Sequence, residues 1–469
     1  KLKQFHYNED YGTITIGDDF SVSSTIEIPK GRKITIDLNG YKLTTNADIY
    51  IFKNFGRLTI TDNSTDGKGT ISSLGIYNGK PQTRTNTDDI DYTAQLTIKG
   101  GVFENISKDG GAAIYNHLGV IDIQGGEFYG KYSAITNFGL ATIANAYIEC
   151  LNRDNGAAAI INDFEIEYGN NVNVVGRYTK YNDSGTASIT DGEATYLFAE
   201  LNGVKYPSLQ EALDACTIGD NTINLLFHNS DNATVSQEEG VNITIDGNGY
   251  KDKQFEYTGT ICVHGNSRHT GTETLTIQDI NFITENDSHD FILCDFRKCN
   301  EAAEGVVRYA HNVTVQNCNF NAKEESTAVV ALRFRQSYNI NVKDSEFTNL
   351  HSAMWATGTS GIAFDNIEAT NCKEGGISVG TSTPVSVKNS TIAGAQYGVR
   401  ADGSGDYRLT VESSELTAEV PVIVRNTTAA YNLTVKEDAT LASTNNGPQV
   451  VVTAGKYDEA YVTPTSKVN

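Results

Sequence analysis

Apolar and polar residues alternate in short runs along this chain, and the runs return at a near-fixed interval. In the C-terminal half Val313-Thr-Val315, Ile340-Asn-Val342, Ile362-Ala-Phe364, Val385-Ser-Val387, Leu409-Thr-Val411 and Leu433-Thr-Val435 begin at spacings of 27, 22, 23, 24 and 24 residues. Alternation places one side chain inside and the next outside, as a strand requires. A polar pair and another apolar residue follow each run, as in Val315-Gln-Asn-Cys-Asn-Phe320 and Val342-Lys-Asp-Ser-Glu-Phe347. That pattern predicts a bend and a second short strand. The N-terminal half repeats in the same way through Leu58-Thr-Ile60, Leu96-Thr-Ile98, Ile121-Asp-Ile123 and Ala141-Thr-Ile143. A period of about 22 to 25 residues is too short for a strand plus a helix that covers a sheet. It predicts two or three short strands per turn, stacked as parallel rungs over buried aliphatic ladders.

The repeat has a larger period as well. Ile34-Thr35-Ile36-Asp37-Leu38-Asn39-Gly40-Tyr41-Lys42 returns 209 positions later as Ile243-Thr244-Ile245-Asp246-Gly247-Asn248-Gly249-Tyr250-Lys251. Upstream the match runs without a gap through Thr13-Ile14 with Thr222-Ile223 and Gly31 with Gly240, so residues near 13–42 and 222–251 are expected to be equivalent opening rungs. Between the copies lies the one helical pattern, Tyr206 to Cys216, in which Ser208 is placed to cap, Glu211 to complete a capping box, and Leu209, Ala212, Leu213 and Cys216 to form an apolar face. Two tandem units are expected, 1–195 and 196–469, the second opened by a short capping helix at about 207–216. Phe5, Tyr7 and Tyr11 are the residues available to cover the end of the first. The insert from about 75 to 93 reads as a rung loop, and its acidic Thr87 to Asp91 segment is taken as solvated rather than as a calcium site.

Composition narrows the class. A formal net charge of −22 disfavours nucleic acid and anionic membrane as partners, and no apolar run reaches membrane-spanning length. The chain starts at Lys1 and its single Met is Met354, which fits a processed export product and fits a fragment equally. Seven cysteines show no paired metal-like spacing. They are expected to be mostly buried thiols, with a local bridge between Cys294 and Cys299 left open. No metal and no cofactor are expected.

With such coils along nearly its whole length, the chain resembles the right-handed parallel β-helices of the pectate-lyase-like superfamily, especially the secreted or surface β-helix proteins of bacteria. The resemblance implies an all-β, single-stranded right-handed parallel β-helix, a solenoid of two tandem units, secreted or held at a bacterial surface. It implies no single activity, because one coil serves lyases, hydrolases, adhesins and stalks. The Asn-Thr-Asp, Asp-Asp, Gly-His-Gly and Arg-x-Lys set that related polygalacturonases carry on successive rungs is not found here. No Trp-Ile-Asp-His-like lyase segment matches, and the sole Trp is Trp355. Catalytic residues are therefore left unassigned.

One constellation remains. Counting back from each rung's start turns Leu332, Phe334, Met354, Ala356, Ile377 and Val379 inward, and Arg333, Arg335, Trp355, Thr357, Ser378, Gly380, Arg400, Asp402, Ile423 and Arg425 outward. Rungs about 4.8 Å apart would gather these into one surface of cations around an indole. Trp stacks on the apolar face of a pyranose, and Arg offers a planar fork to hydroxyls, uronate or sulfate. Arg333, Arg335, Trp355, Arg400, Asp402 and Arg425 are the expected carbohydrate-binding residues. The competing reading pairs the arginines with surplus carboxylates, which would make the patch structural, so the partners of Arg333 and Arg400 decide. His311, Arg308 and His351 lie near the same rungs, where a lyase would need a proton acceptor beside a neutralising Arg. No partner that would orient a histidine can be named from the sequence. The expected function is polysaccharide binding or adhesion without catalysis, by a monomer that does not insert in a membrane. A polysaccharide lyase or glycoside hydrolase acting on an acidic glycan, and a structural stalk, are the alternatives.

Overall fold

The computed structural model describes residues 12–45, 47–80, 90–107, 110–152, 157–180, 188–190, 194–226, 232–247, 256–265, 271–284, 290–294, 309–380, 384–403, 407–426 and 431–453. Phe5, Tyr7, Tyr11, Thr87, Asn248 to Lys251, Cys299 and Arg308 lie outside them. Contacts divide the chain into two compact units, Lys1–Leu197 and Phe198–Asn469.

The first unit winds through three strands per coil. Its described residues form parallel sheets of eight, eight and seven strands, and each strand pairs with the strand three places on. The repeat read from the sequence is the register itself: Leu96 pairs with Leu58 and Ile121, and Ile121 with Ala141. Inward side chains therefore stack like on like. Phe103 and Phe128 lie ring on ring at 5.0 Å and 9°. The segment from 75 to 93 is not all loop. Gly75–Gly79 is a strand of the third sheet, with Ile76 against Ile114 and Tyr77 against Tyr115, because its apolar residue continues the aliphatic stack.

Polar residues make a ladder inside this unit. Asn54, Asn78, Asn116, Asn137 and Asn162 are fully buried, one per coil. Each donates its side-chain amide to the next carbonyl oxygen at 2.7, 2.8, 2.7 and 2.8 Å, and Asn162 donates to the Tyr178 hydroxyl at 2.9 Å. A buried amide is tolerated only when its donors and acceptors are met, and here each rung supplies what the next lacks. Glycines leave the room. A Cβ at Gly119 would sit 2.4 Å from Asn78 Nδ2, and one at Gly139 2.6 Å from Asn116 Nδ2.

The second unit opens with a short antiparallel turn, Ala199–Leu201 against Val204–Tyr206, and the helix Leu209–Asp214. Ser208 caps this helix by accepting from the Glu211 amide, and the Glu211 carboxylate meets the Ser208 hydroxyl rather than its backbone amide. Leu209, Ala212 and Leu213 pack into the apolar core over Ile223 and Val235, while Cys216 follows the helix and is half-buried against the same core. Val313, Ile340, Ile362, Val385, Leu409 and Leu433 then pair in sequence as one parallel ladder. A single left-handed residue, Asn317, Asp344, Asn366 or Asn389, turns the chain from the first strand of each coil into the second. Phe282, Phe320 and Phe347 stack at 4.8 and 4.9 Å behind that turn. The two opening rungs pair alike: Ile14 faces Ile36 in the first unit and Ile223 faces Ile245 in the second, at the offset of the sequence repeat.

Cys150, Cys294, Cys318 and Cys372 are buried free thiols. A bridge from Cys294 is therefore ruled out; its sulfur faces inward and accepts from the Ser337 hydroxyl at 3.3 Å. Among the described residues the disulfide-bonded one is Cys262, which points outward from Ile261–Gly265. Burial pushes the Cys318 and Cys372 thiols up to about 12.

Two outcomes follow. Asn116→Ala removes a buried acceptor from Asn78 and a buried donor from Asn137 and should destabilise the first unit by about 1–3 kcal/mol, read as a drop in its denaturation midpoint; an unchanged midpoint would show that the ladder contributes nothing. In native-state thiol labelling, half-buried Cys216 should react before Cys150, Cys294, Cys318 and Cys372, and mass mapping of the adducts checks the order.

Candidate functional site

The nine-stranded sheet of the second unit carries the predicted residues. Its register sets Arg333, Trp355, Ser378, Arg400 and Ile423 in one outward column and Arg335, Thr357, Gly380, Asp402 and Arg425 in the next. Leu332, Phe334, Met354, Ala356, Ile377 and Val379 are fully buried behind them. The alternation thus brings all six expected residues onto one face. Trp355 is half-buried, and the Arg333 guanidinium lies over its ring at 5.2 Å. Ser378, one coil on, is buried.

The charges of this face are already met. Arg333 Nε donates to Asp290 Oδ2 at 2.6 Å, with the carboxylate only 2% exposed, and Asp290 also accepts from the Val330 amide at 3.0 Å. Arg400 Nε donates to Asp402 at 2.7 Å, and its guanidinium lies 3.7 Å from Glu374. Arg425 donates to both oxygens of Asp402. Arg335 is engaged as well. The face is a lattice of compensated pairs rather than a cationic island, because Asp290 and Glu374 reach it from other coils, where the alternation pattern does not register them.

Residues 280–446 match the family model for a right handed beta helix region. That region is a right-handed β-helix, and both units are built of the same kind of stacked parallel coils. This agrees with the resemblance to the pectate-lyase-like superfamily. No curated protein matches the chain.

The histidines of the β-helix resolve into two different settings. His351 Nε2 lies 2.9 Å from Glu374 Oε2, and the pair is about one-third exposed. The orienting partner sits one coil on, next to Arg400, and no local spacing points to it. His311 is fully buried and lies 3.0 Å from Glu273, itself 3% exposed, with its ring stacked on Tyr338 at 5.3 Å. Gln237 clamps the His311 backbone, donating to its carbonyl at 2.5 Å and accepting from its amide at 2.9 Å. Burial alone would raise the Glu273 carboxyl, but its own backbone amide, His311 and the Thr272 amide together hold it below its usual value.

Other outward features were not legible as sites. A cavity of about 830 Å³ runs along the one-residue turns, lined by Asn317, Asp344, Glu346, Asn366, Glu368 and Asn389. In the first unit, Tyr77 and Tyr115 stack at 5.7 Å on the third sheet, and Tyr129 and Tyr147 meet at 5.8 Å on the second. Their signal was the recurrence of Tyr at outward positions one coil apart, which a count of tyrosines does not reveal.

Because the folded Glu273 carboxyl titrates below its unfolded value of 4.5, its stabilisation is fully present above that pH and is lost as pH falls through the folded value. Glu273→Gln should therefore flatten the fall of melting temperature with acidification below about pH 4.5, relative to the native chain. Parallel curves for the two proteins would rule out the coupling.

Proposed function

We propose that this β-helix binds carbohydrate without cleaving it, and that the outer face of the nine-stranded sheet of the second unit takes a neutral sugar chain. The observation that carries the reading is Trp355, half-buried under the Arg333 guanidinium at 5.2 Å and bordered by fixed guanidinium–carboxylate pairs. A sugar hydroxyl both donates and accepts, so a face that holds Arg donors beside Asp402 and Glu374 acceptors can satisfy it without moving charge. A uronate would have to displace Asp290 or Asp402 from its arginine, which costs the buried pairing that fixes the face. Among hydroxyls, uronate and sulfate, a neutral glycan is therefore the favoured class. The disulfide at Cys262 supports function in an oxidising compartment, such as outside the cell or at its surface.

Calorimetry with neutral and uronate-bearing oligosaccharides tests this. Trp355→Ala should weaken neutral-glycan binding by about 1–3 kcal/mol, the range for losing an aromatic anchor, and uronate should bind no tighter than its neutral counterpart. Unaltered affinity in the variant, or binding of uronate alone, would sink the proposal.

A polysaccharide lyase or hydrolase is the second reading, favoured by the orientation of His351 by Glu374 at 2.9 Å beside Arg400. It predicts time-dependent release of shorter oligosaccharides that His351→Ala abolishes.

A further inference from the structure

The second sheet of the first unit carries an outward pattern of its own. Glu127 and Tyr129 lie on one coil, Tyr147 and Glu149 on the next, and the register sets Glu127 beside Tyr147 and Tyr129 beside Glu149. Tyrosines and glutamates thus alternate as on a chequerboard, with Glu104 continuing the column above Tyr129. Each phenol is tied to the glutamate of its own strand: Tyr129 donates to Glu127 at 2.9 Å and Tyr147 to Glu149 at 2.6 Å. Both rings are half-buried, and they meet at 5.8 Å with 49° between their planes. Lys68 holds the other oxygen of Glu127 at 2.7 Å.

Three features of this arrangement select a ligand. Rings held toward the sheet by their hydroxyls keep apolar surface on the outside of a strand, where an unpaired aromatic would otherwise be free to rotate. The carboxylates beside them are fixed in orientation and present acceptors, which suits a ligand that brings hydroxyl donors. The carboxylates of Glu104, Glu127 and Glu149 side by side also disfavour an anionic glycan on this face. Burial first, and then the Glu127 carboxylate, hold the Tyr129 phenol above its usual value, so the hydroxyl stays a donor at physiological pH. By contrast, the face built on Trp355 is lined by guanidinium–carboxylate pairs.

We propose that Tyr129 and Tyr147, with Glu104, Glu127 and Glu149, form a second carbohydrate site on the first unit, specific for neutral pyranose chains. It rests on the same ligand class as the face around Trp355 but on none of its residues.

The test uses the full chain, titrated by calorimetry with neutral glucan, mannan and galactan oligosaccharides and with oligogalacturonate, while tyrosine and tryptophan absorbance are followed together. The native chain should show two binding events for a neutral glycan, one perturbing tyrosine and one tryptophan. Trp355→Ala should keep the tyrosine event, and the double variant Tyr129→Ala, Tyr147→Ala should weaken it about tenfold or more, as loss of aromatic anchors does. The double variant Tyr129→Phe, Tyr147→Phe keeps the rings and the packing but releases the carboxylates; it should weaken the same event several-fold and guards against a folding defect in the alanine protein. Loss of every event in Trp355→Ala, or an unchanged tyrosine event in both tyrosine variants, overturns the second site. Survival of the tyrosine event with no effect of Trp355→Ala on anything removes the face around Trp355 and leaves this one standing. Preference for oligogalacturonate at the tyrosine event overturns the specificity.

Discussion

Everything in either unit depends on the pairing of one coil with the next through the main chain. A strand of three to six residues, such as Gln95–Ile98 or Val330–Arg335, is too short to be stable alone, and its amides and carbonyls are met only by the coils on either side. That pairing fixes the register, and the register then decides which residues stack. Phe282 on Phe320 on Phe347 follows from it, and so does the amide ladder from Asn54 to Asn162. The ladder is the more demanding of the two. A phenylalanine stack shortened by one ring loses contacts, whereas an asparagine ladder broken at one rung leaves hydrogen-bonding groups buried without partners on both sides.

The same pairing governs the chemistry of the surface. Outward side chains one coil apart are neighbours, so a residue's partner lies a full repeat away along the chain. Asp290 meets Arg333 across 43 positions and Asp402 meets Arg425 across 23. In a chain with a net charge of −22 an arginine on such a face is surrounded by candidates for pairing, and the arginines of this face found them. Compensation does not make the face inert. A guanidinium held by a buried carboxylate loses little further freedom on meeting a ligand, so its orientation is set before binding.

How much of this could be read from the sequence depends on the length of the repeat relative to each interaction. The alternation at Val313-Thr-Val315 and its successors displayed the strands directly, because in–out periodicity is local. The outward column through Arg333, Trp355 and Arg400 was also legible, since counting along one repeat and adding the period gives the neighbour. Irregular coils defeated that counting. Asp290 falls in a longer coil, whose Leu275 pairs with Val313, and Glu374 falls at a turn, so their place opposite Arg333 and beside His351 and Arg400 is set by loop and turn geometry. In the sequence a bridge between Cys294 and Cys299, close neighbours there, stays open for the same local reason. The disulfide instead takes outward Cys262, while Cys294 turns into the core. The asparagine ladder did leave a trace, in Asn54-Phe-Gly56 and Asn137-Phe-Gly139. Amid so many asparagines that trace carried no weight until the registers aligned them.

A solenoid of this kind separates stability from recognition more cleanly than a globular domain does. Inward positions are bound to their equivalents by stacking, and a change there propagates through the nearest coils. Outward positions meet few neighbours, so an aromatic or a carboxylate can appear on one rung and be reinforced on the next without disturbing the core. The Trp355 face and the Tyr129–Tyr147 face both have this form: a planar side chain on one coil, charged groups on the coils beside it, and a buried aliphatic stack beneath that fixes their spacing. What distinguishes them is the make-up of the groups around the ring, arginine–carboxylate pairs in the second unit and glutamates in the first. Rung spacing is common to both units, so selectivity between ligands must come from those outward groups rather than from the coil that carries them.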